Sequence, residues 1–202
     1  PEKCVCTTLE QVIDTANKAQ PNFIFVGGSQ LQNSVDETVI HIKRLTTIPV
    51  VLFPGNAFQL TNKADALLLL SLISGRNAKW LIGQHVQAAK AIQQSALETI
   101  STGYILIDGG NTTAVERVSK TKPLQRDAID EVVSTALAGQ LLGHKLIYLE
   151  AGSGAQNPVP TALIKAVKTA IDIPLIVGGG LTSTGAIKQA YEAGADIVVV
   201  GN

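Results

Sequence analysis

Residues Pro174–Asn202 read PLIVGGGLTSTGAIKQAYEAGADIVVVGN, and the order of features in this stretch decides the fold. An unbroken apolar run ends in three glycines, Ser183 or Thr184 opens a helical segment through Ala193, and a second unbroken run follows Asp196. Neither run alternates polar with apolar residues, which is the pattern of strands covered on both faces. A helix long enough to cross back between two such strands makes a parallel βαβ unit.

The same unit recurs along the chain. FIFVGG from Phe23, PVVLFPG from Pro49, ALLLLSLIS from Ala66, YILIDGG from Tyr104 and KLIYLEAG from Lys145 are further short aliphatic runs closed by Gly, Pro or Ser. With the two runs of the opening stretch they give seven predicted strands. Segments of helical period lie between most of them: Thr8–Ala19, Ser34–Leu45, Asn77–Leu97, a run capped by Asp127, and Thr161–Ile171 behind Pro160. Strand then helix, repeated, predicts an α/β fold, and seven strands in one series suit a (β/α)8 barrel with one strand unseen, a doubly wound sheet being the competitor. The resemblance of IPVVLFPG at Ile48 to IPLIVGGG at Ile173 is a weak hint of half-barrel duplication.

Two gaps break the rhythm. Between Gly55 and Ala66 only NAFQLTNKAD intervenes, too short for a packed crossover helix, so one outer helix is expected to be missing. Between Gly110 and Asp127 runs a long polar segment carrying Lys120, Lys122 and Arg126. It reads equally as an active-site loop, with those cations as a candidate diphosphate site, or as a solvated linker.

Bulk composition narrows the function. The 202 residues suit one domain spanning 1–202, and sixteen basic residues balance sixteen acidic ones, so no net field recruits nucleic acid or an anionic membrane. The longest apolar run, Ala66–Ile73, falls well short of the roughly 20 residues of a spanning helix. Cys4 and Cys6 lack the partners of a zinc site and read as reduced thiols of a cytoplasmic protein.

In a barrel of this kind the site lies at the C-terminal strand ends. Those ends supply Gly27-Gly28-Ser29, Asp108-Gly109-Gly110, Glu150 to Gly154, Gly178-Gly179-Gly180 and Gly201-Asn202. Glycine turns in consecutive units let backbone N–H groups approach an anion, with helix N-termini behind them, and a phosphate is the natural occupant. Glu150, one residue before AGSG, reads as a general base, a hydroxyl acceptor or an ion-pair partner of a lysine. Tyr148 lies on the same side of its strand by the period of two, and either bonds the ligand or fills the interior. Asp108 and Ser29 are hard oxygen ligands compatible with Mg²⁺. His41, His85 and His144 fall away from strand ends and are expected to be structural or solvated. An isomerase or aldolase would want a second acid or a Schiff-base lysine at a strand end, and Lys145 begins its strand rather than ending it. A non-catalytic phosphate-binding barrel is the alternative outside enzymes.

YLEAGSGAQNPVP, VGGGLTSTGAIKQAYEAGADIVVVGN, FIFVGGS and SGRNAKWLIGQHV together resemble the geranylgeranylglyceryl phosphate synthase family, which includes the heptaprenylglyceryl phosphate synthases. SGRN followed by WLIGQHV is similar to the branch found in some archaea and in Bacteroidetes. The resemblance implies a modified barrel with its third helix replaced, and prenyl transfer from a polyprenyl diphosphate to the C3 hydroxyl of sn-glycerol 1-phosphate. It implies that Tyr148, Leu149, Glu150, Ala151, Gly152, Ser153, Gly154, Gly179, Gly180, Gly201 and Asn202 hold glycerol 1-phosphate, that Glu150 binds or deprotonates its hydroxyl, and that Ser29 helps hold Mg²⁺. It also implies a homo-oligomer, a dimer or hexamer. The family's first strand, with a metal-binding Asp, would precede Pro1 and its last helix would follow Asn202, so the chain is expected to be an incomplete barrel.

Overall fold

A computed structural model describes residues 6–28 and 35–201. The elements run α1 (Cys6–Ala19), β1 (Ile24–Val26), α2 (Val35–Leu45), β2 (Val50–Leu52), β3 (Ala66–Leu72), α3 (Gln84–Gln94), β4 (Glu98–Leu106), α4 (Ala114–Ser119), α5 (Ile129–Leu141), β5 (Leu146–Glu150), α6 (Thr161–Ala170), β6 (Leu175–Gly178), α7 (Thr184–Glu192) and β7 (Ile197–Val199). The seven strands hydrogen-bond in sequence order, β1 through β7. Neighbours pair in parallel wherever the register is resolved, as in Tyr104↔Tyr148↔Ile176 and Leu106↔Glu150↔Gly178. This is the strand order of a (β/α) barrel and not of a doubly wound sheet, whose order reverses at a switch point.

Two compact units divide the chain, 1–69 with 84–100 and 70–83 with 101–202, the boundary running through β3 and β4. In the first, Ile13, Val39 and Ile42 of the helices pack on Val26, Val50, Leu52 and Leu67 of the strands. No helix lies between β2 and β3, as the short spacing there predicts. The loop in its place is held by Gln59, whose Oε1 accepts from Gly55 N at 2.9 Å and whose Nε2 donates to Gly28 O at 2.9 Å.

In the second unit the strands sort their side chains by the period of two. Ile105, Ile107, Ile147, Leu149, Ala151, Leu175 and Val177 join one apolar cluster with Leu163, Ile164 and Val167 of α6 and Val132 and Ala136 of α5. Each fully buried Val, Leu or Ile side chain there contributes about 1.5–3 kcal/mol. Tyr104, Tyr148, Glu150 and Gly178 alternate with these residues along their strands and face the other way.

The two units repeat one device. Asp65, just before β3, accepts from Val50 N at 2.8 Å and pairs with Lys43 of α2 at 2.6 Å. Asp196, just before β7, accepts from Leu175 N at 2.7 Å and pairs with Lys168 of α6 at 2.6 Å. The acids occupy equivalent places after IPVVLFPG and IPLIVGGG, so the likeness of those segments extends to their supports.

Two expectations change in detail. The helical pattern over Asn77–Leu97 divides into a π-helical turn at Lys79–Gly83 and α3, while β4 begins as early as Glu98. The polar segment after Gly110 contains α4, nucleated by a capping box in which Thr113 Oγ1 accepts from Glu116 N at 3.1 Å and Glu116 Oε2 accepts from Thr113 N at 2.7 Å. Such a cap is worth about 1 kcal/mol and fixes where this six-residue helix begins, a start that apolar periodicity does not signal.

Candidate active site

β5 delivers Glu150 to the strand end, where it is 8% exposed. Its Oε1 accepts from Gly152 N at 2.6 Å, and the Tyr148 hydroxyl donates to the same carboxylate. Burial raises the carboxyl above its ordinary range, and these two hydrogen bonds only partly offset that effect. Tyr148 itself is buried, and burial and the neighbouring acid push its hydroxyl well up, so it remains a donor. The ring of Tyr104 lies 5.3 Å from that of Tyr148 at 57°, forming the layer beneath the acid. Tyr104 is a residue that sequence reasoning passed over; only the register Tyr104↔Tyr148 brings the two rings together.

The glycines at and just after the end of β6 are required by this carboxylate. A Cβ on Gly178 would meet Tyr148 Oη at 2.5 Å and Glu150 Oε2 at 2.9 Å. One on Gly179, whose φ is +84°, would meet Glu150 Oε1 at 2.5 Å and Gly152 N at 2.6 Å. Strand ends β5 and β6 therefore touch through an acid seated on bare backbone. Behind Gly178-Gly179-Gly180, α7 begins with Ser183 Oγ accepting from Ala186 N at 3.2 Å.

Among the described residues, none accepts a hydrogen bond from the N–H groups of Ser153, Gly154, Gly179 or Gly180. Ser153 and Gly154 are exposed, and Gly179 and Gly180 half-buried. Donors in two adjoining turns, with a helix N-terminus behind one of them, suit an anion. The unit thus sets a buried acid beside backbone donors of two adjoining turns.

The other sequence-derived candidates fall in several places. Leu149 and Ala151 are fully buried in the apolar cluster and offer the site only backbone. Gly201 is exposed, while Ser29 and Asn202 lie outside the described residues. Asp108 Oδ1 accepts from Gly110 N at 2.9 Å, and among the described residues no group of three or more His, Cys, Asp or Glu is placed to hold a metal ion. Lys120 and Lys122 are exposed. Arg126 has internal partners, the carbonyls of Asp108, Asn157 and Pro158. His144 Nδ1 meets Ser101 Oγ at 2.8 Å before the start of β5, at the opposite end of the strand from Glu150. No helix among the described residues is long and apolar enough to cross a membrane.

The model of the PcrB family matches residues 1–202. The chain belongs to the PcrB family. A geranylgeranylglyceryl phosphate synthase of Flavobacterium johnsoniae is 51% identical over 202 residues, all of this chain and 83% of the relative. One from the archaeon Korarchaeum cryptofilum is 37% identical over 92% of this chain and 77% of its own. Among solved structures, (S)-3-O-geranylgeranylglyceryl phosphate synthase from Thermoplasma acidophilum, in complex with its substrate sn-glycerol-1-phosphate, superposes with a TM-score of 0.91 at 36% identity, covering 96% of this chain and 78% of that one. The wild-type enzyme of Thermoplasma volcanium gives 0.90 at 37%, with the same coverage. This PcrB member thus shares its fold with an enzyme whose structure holds sn-glycerol-1-phosphate.

Proposed function

We propose that this PcrB protein is a prenyltransferase that moves the geranylgeranyl group of geranylgeranyl diphosphate onto the C3 hydroxyl of sn-glycerol 1-phosphate. The observation that carries the reading is Glu150, buried and hydrogen-bonded at the end of β5, directly beside free backbone donors of two glycine turns. The phosphate of the acceptor would lie against the N–H groups of Ser153, Gly154, Gly179 and Gly180. That leaves its glycerol carbons to reach back toward the carboxylate.

In the transfer, the C3 oxygen forms a bond to C1 of the prenyl chain, the C1–O bond to diphosphate breaks, and the hydroxyl proton passes to Glu150. Burial makes Glu150 a stronger base than an exposed carboxylate, and the bonds from Tyr148 and Gly152 hold it in one orientation. Holding hydroxyl and base together removes much of the entropic cost of the encounter. A carboxylate in this role contributes on the order of 10²–10⁴ in rate.

We also propose dependence on Mg²⁺, with Ser29 among its ligands. When bound, the ion would neutralise the departing diphosphate. A homo-oligomeric state and a cytoplasmic location complete the proposal. The deciding experiment incubates the protein with labelled sn-glycerol 1-phosphate, Mg²⁺ and a series of prenyl diphosphates. Formation of the geranylgeranyl ether supports the reading; a longer preferred chain would redirect it to another donor, and binding of glycerol phosphate without transfer would reject it.

A further inference from the structure

After α4 the chain runs back along the end of β4. Leu124, buried, bridges Ile107 in parallel; its N–H donates to Leu106 O at 2.9 Å, and Asp108 N donates to Leu124 O at 2.9 Å. The bridge places the Arg126 guanidinium between two loops. Nη1 donates to Asp108 O at 3.0 Å and to Asn157 O at 3.4 Å, and Nη2 donates to Pro158 O at 2.8 Å. Asp108 opens the loop after β4, whereas Asn157 and Pro158 close the loop that begins with AGSG. A further bond joins the two loops directly, from Asn157 N to Gly109 O at 3.1 Å.

The same peptide abuts the other arm of the cradle. A Cβ on Gly180 would lie 3.0 Å from Pro158 N and 3.1 Å from Asn157 C. Displacing Asn157–Pro158 would therefore disturb both sets of donors. Ala151, Ala155 and Val159 seat this loop in the apolar cluster, but Gly152, Ser153 and Gly154 between them have little side chain to fix their path, so the position of their N–H groups depends also on such backbone ties.

We propose that Arg126 is a positioning residue for the phosphate of the acceptor: its guanidinium fixes the loop after β5 against the end of β4, and thereby sets the cradle geometry, without itself touching the prenyl diphosphate. The inference rests on the glycerol phosphate reading given above. Arginine suits the task because its planar fork presents several donors in fixed directions, whereas a lysine ammonium is a point charge on a flexible stem.

The test compares wild-type protein with Arg126→Ala, Arg126→Gln and Arg126→Lys, titrating sn-glycerol 1-phosphate directly and varying each substrate separately in steady-state assays. All three variants should raise the KM and Kd for glycerol phosphate on the order of tenfold to a hundredfold, as loop misplacement does, and leave the KM for geranylgeranyl diphosphate unchanged. Guanidinium ion below denaturing concentration should restore part of the glycerol phosphate affinity in the alanine variant and none in the lysine variant. A raised KM for the diphosphate with unaltered glycerol phosphate binding overturns the proposal, and so does a folded lysine variant with wild-type affinity should the alanine variant fail to fold. If wild-type protein itself does not bind glycerol phosphate, the underlying reading fails as well; wild-type binding with unaffected variants defeats the clamp alone.

Discussion

Replacing Glu150 by Gln removes the charge of the candidate base and almost nothing else. The amide oxygen can still accept from Gly152 N, whose present bond to Oε1 is 2.6 Å, and the amide nitrogen can donate to the Tyr148 oxygen. Both charge-assisted bonds become neutral, a loss of about 1 kcal/mol each, while the cost of burying a carboxylate in a site 8% exposed disappears, so the net change in stability should be small. Turnover should nevertheless fall by about 10²–10⁴, equivalent to roughly 3–5 kcal/mol of barrier, with a far smaller change in the KM for glycerol phosphate. The folded-state pKa of Glu150 is raised, so its contribution to stability is fully present below the unfolded value and lost as pH rises through the folded one. The Gln variant should lack that slope, and it should lack the acid limb of the rate profile, where wild-type activity rises as the carboxylate ionises. Single-turnover transfer and denaturant unfolding, both followed across pH, give the answer. Wild-type turnover in the folded variant would refute the assignment of Glu150 as base, and a pure KM effect would reduce it to a binding residue.

Two further outcomes rest on the same geometry and a third on the proposed metal. Tyr148→Phe deletes a bond that lowers the Glu150 pKa, so the acid limb of kcat/KM should move to higher pH; an unmoved or lowered limb contradicts the coupling. Gly179→Ala forces φ of +84° on a residue with a side chain and drives its Cβ to 2.5 Å from Glu150 Oε1. It should cost at least about 1–3 kcal/mol in denaturant unfolding and abolish glycerol phosphate binding. Gly143→Ala carries similar backbone strain at φ +91° with nothing within 4 Å, and should leave binding intact. Chelation of divalent cations should stop transfer, and added Mg²⁺ should restore it; activity that survives thorough chelation removes the metal from the proposal.

The sequence made the strand ends legible because β5 obeys the period of two without interruption. Ile147 and Leu149 go to the apolar cluster, Tyr148 and Glu150 to the other face, and AGSG follows at once. The missing helix before β3 was equally plain, since the intervening residues are too few to cross a sheet. The segment after Gly110 was opaque for a physical reason: α4 is started by Thr113 and Glu116, not by apolar periodicity, and Leu124 is a single apolar residue in a polar run. From sequence Arg126 reads, with Lys120 and Lys122, as one of three cations in a candidate diphosphate loop. Its partners here are backbone carbonyls, which every residue possesses and no sequence pattern marks. Tyr104 escaped notice because it sits four residues from its own strand-end Asp but faces a tyrosine only two residues from Glu150, a relation that strand register alone supplies.

Transfer of the prenyl chain to one enantiomer of the acceptor is the most direct test of the proposed activity. Wild-type protein with geranylgeranyl diphosphate and Mg²⁺ should convert labelled sn-glycerol 1-phosphate into the geranylgeranyl ether at C3, and the Glu150→Gln variant should bind the same acceptor while transferring on the order of 10²–10⁴ more slowly. Glycerol phosphate bound by both proteins, with no ether formed by either, would contradict it.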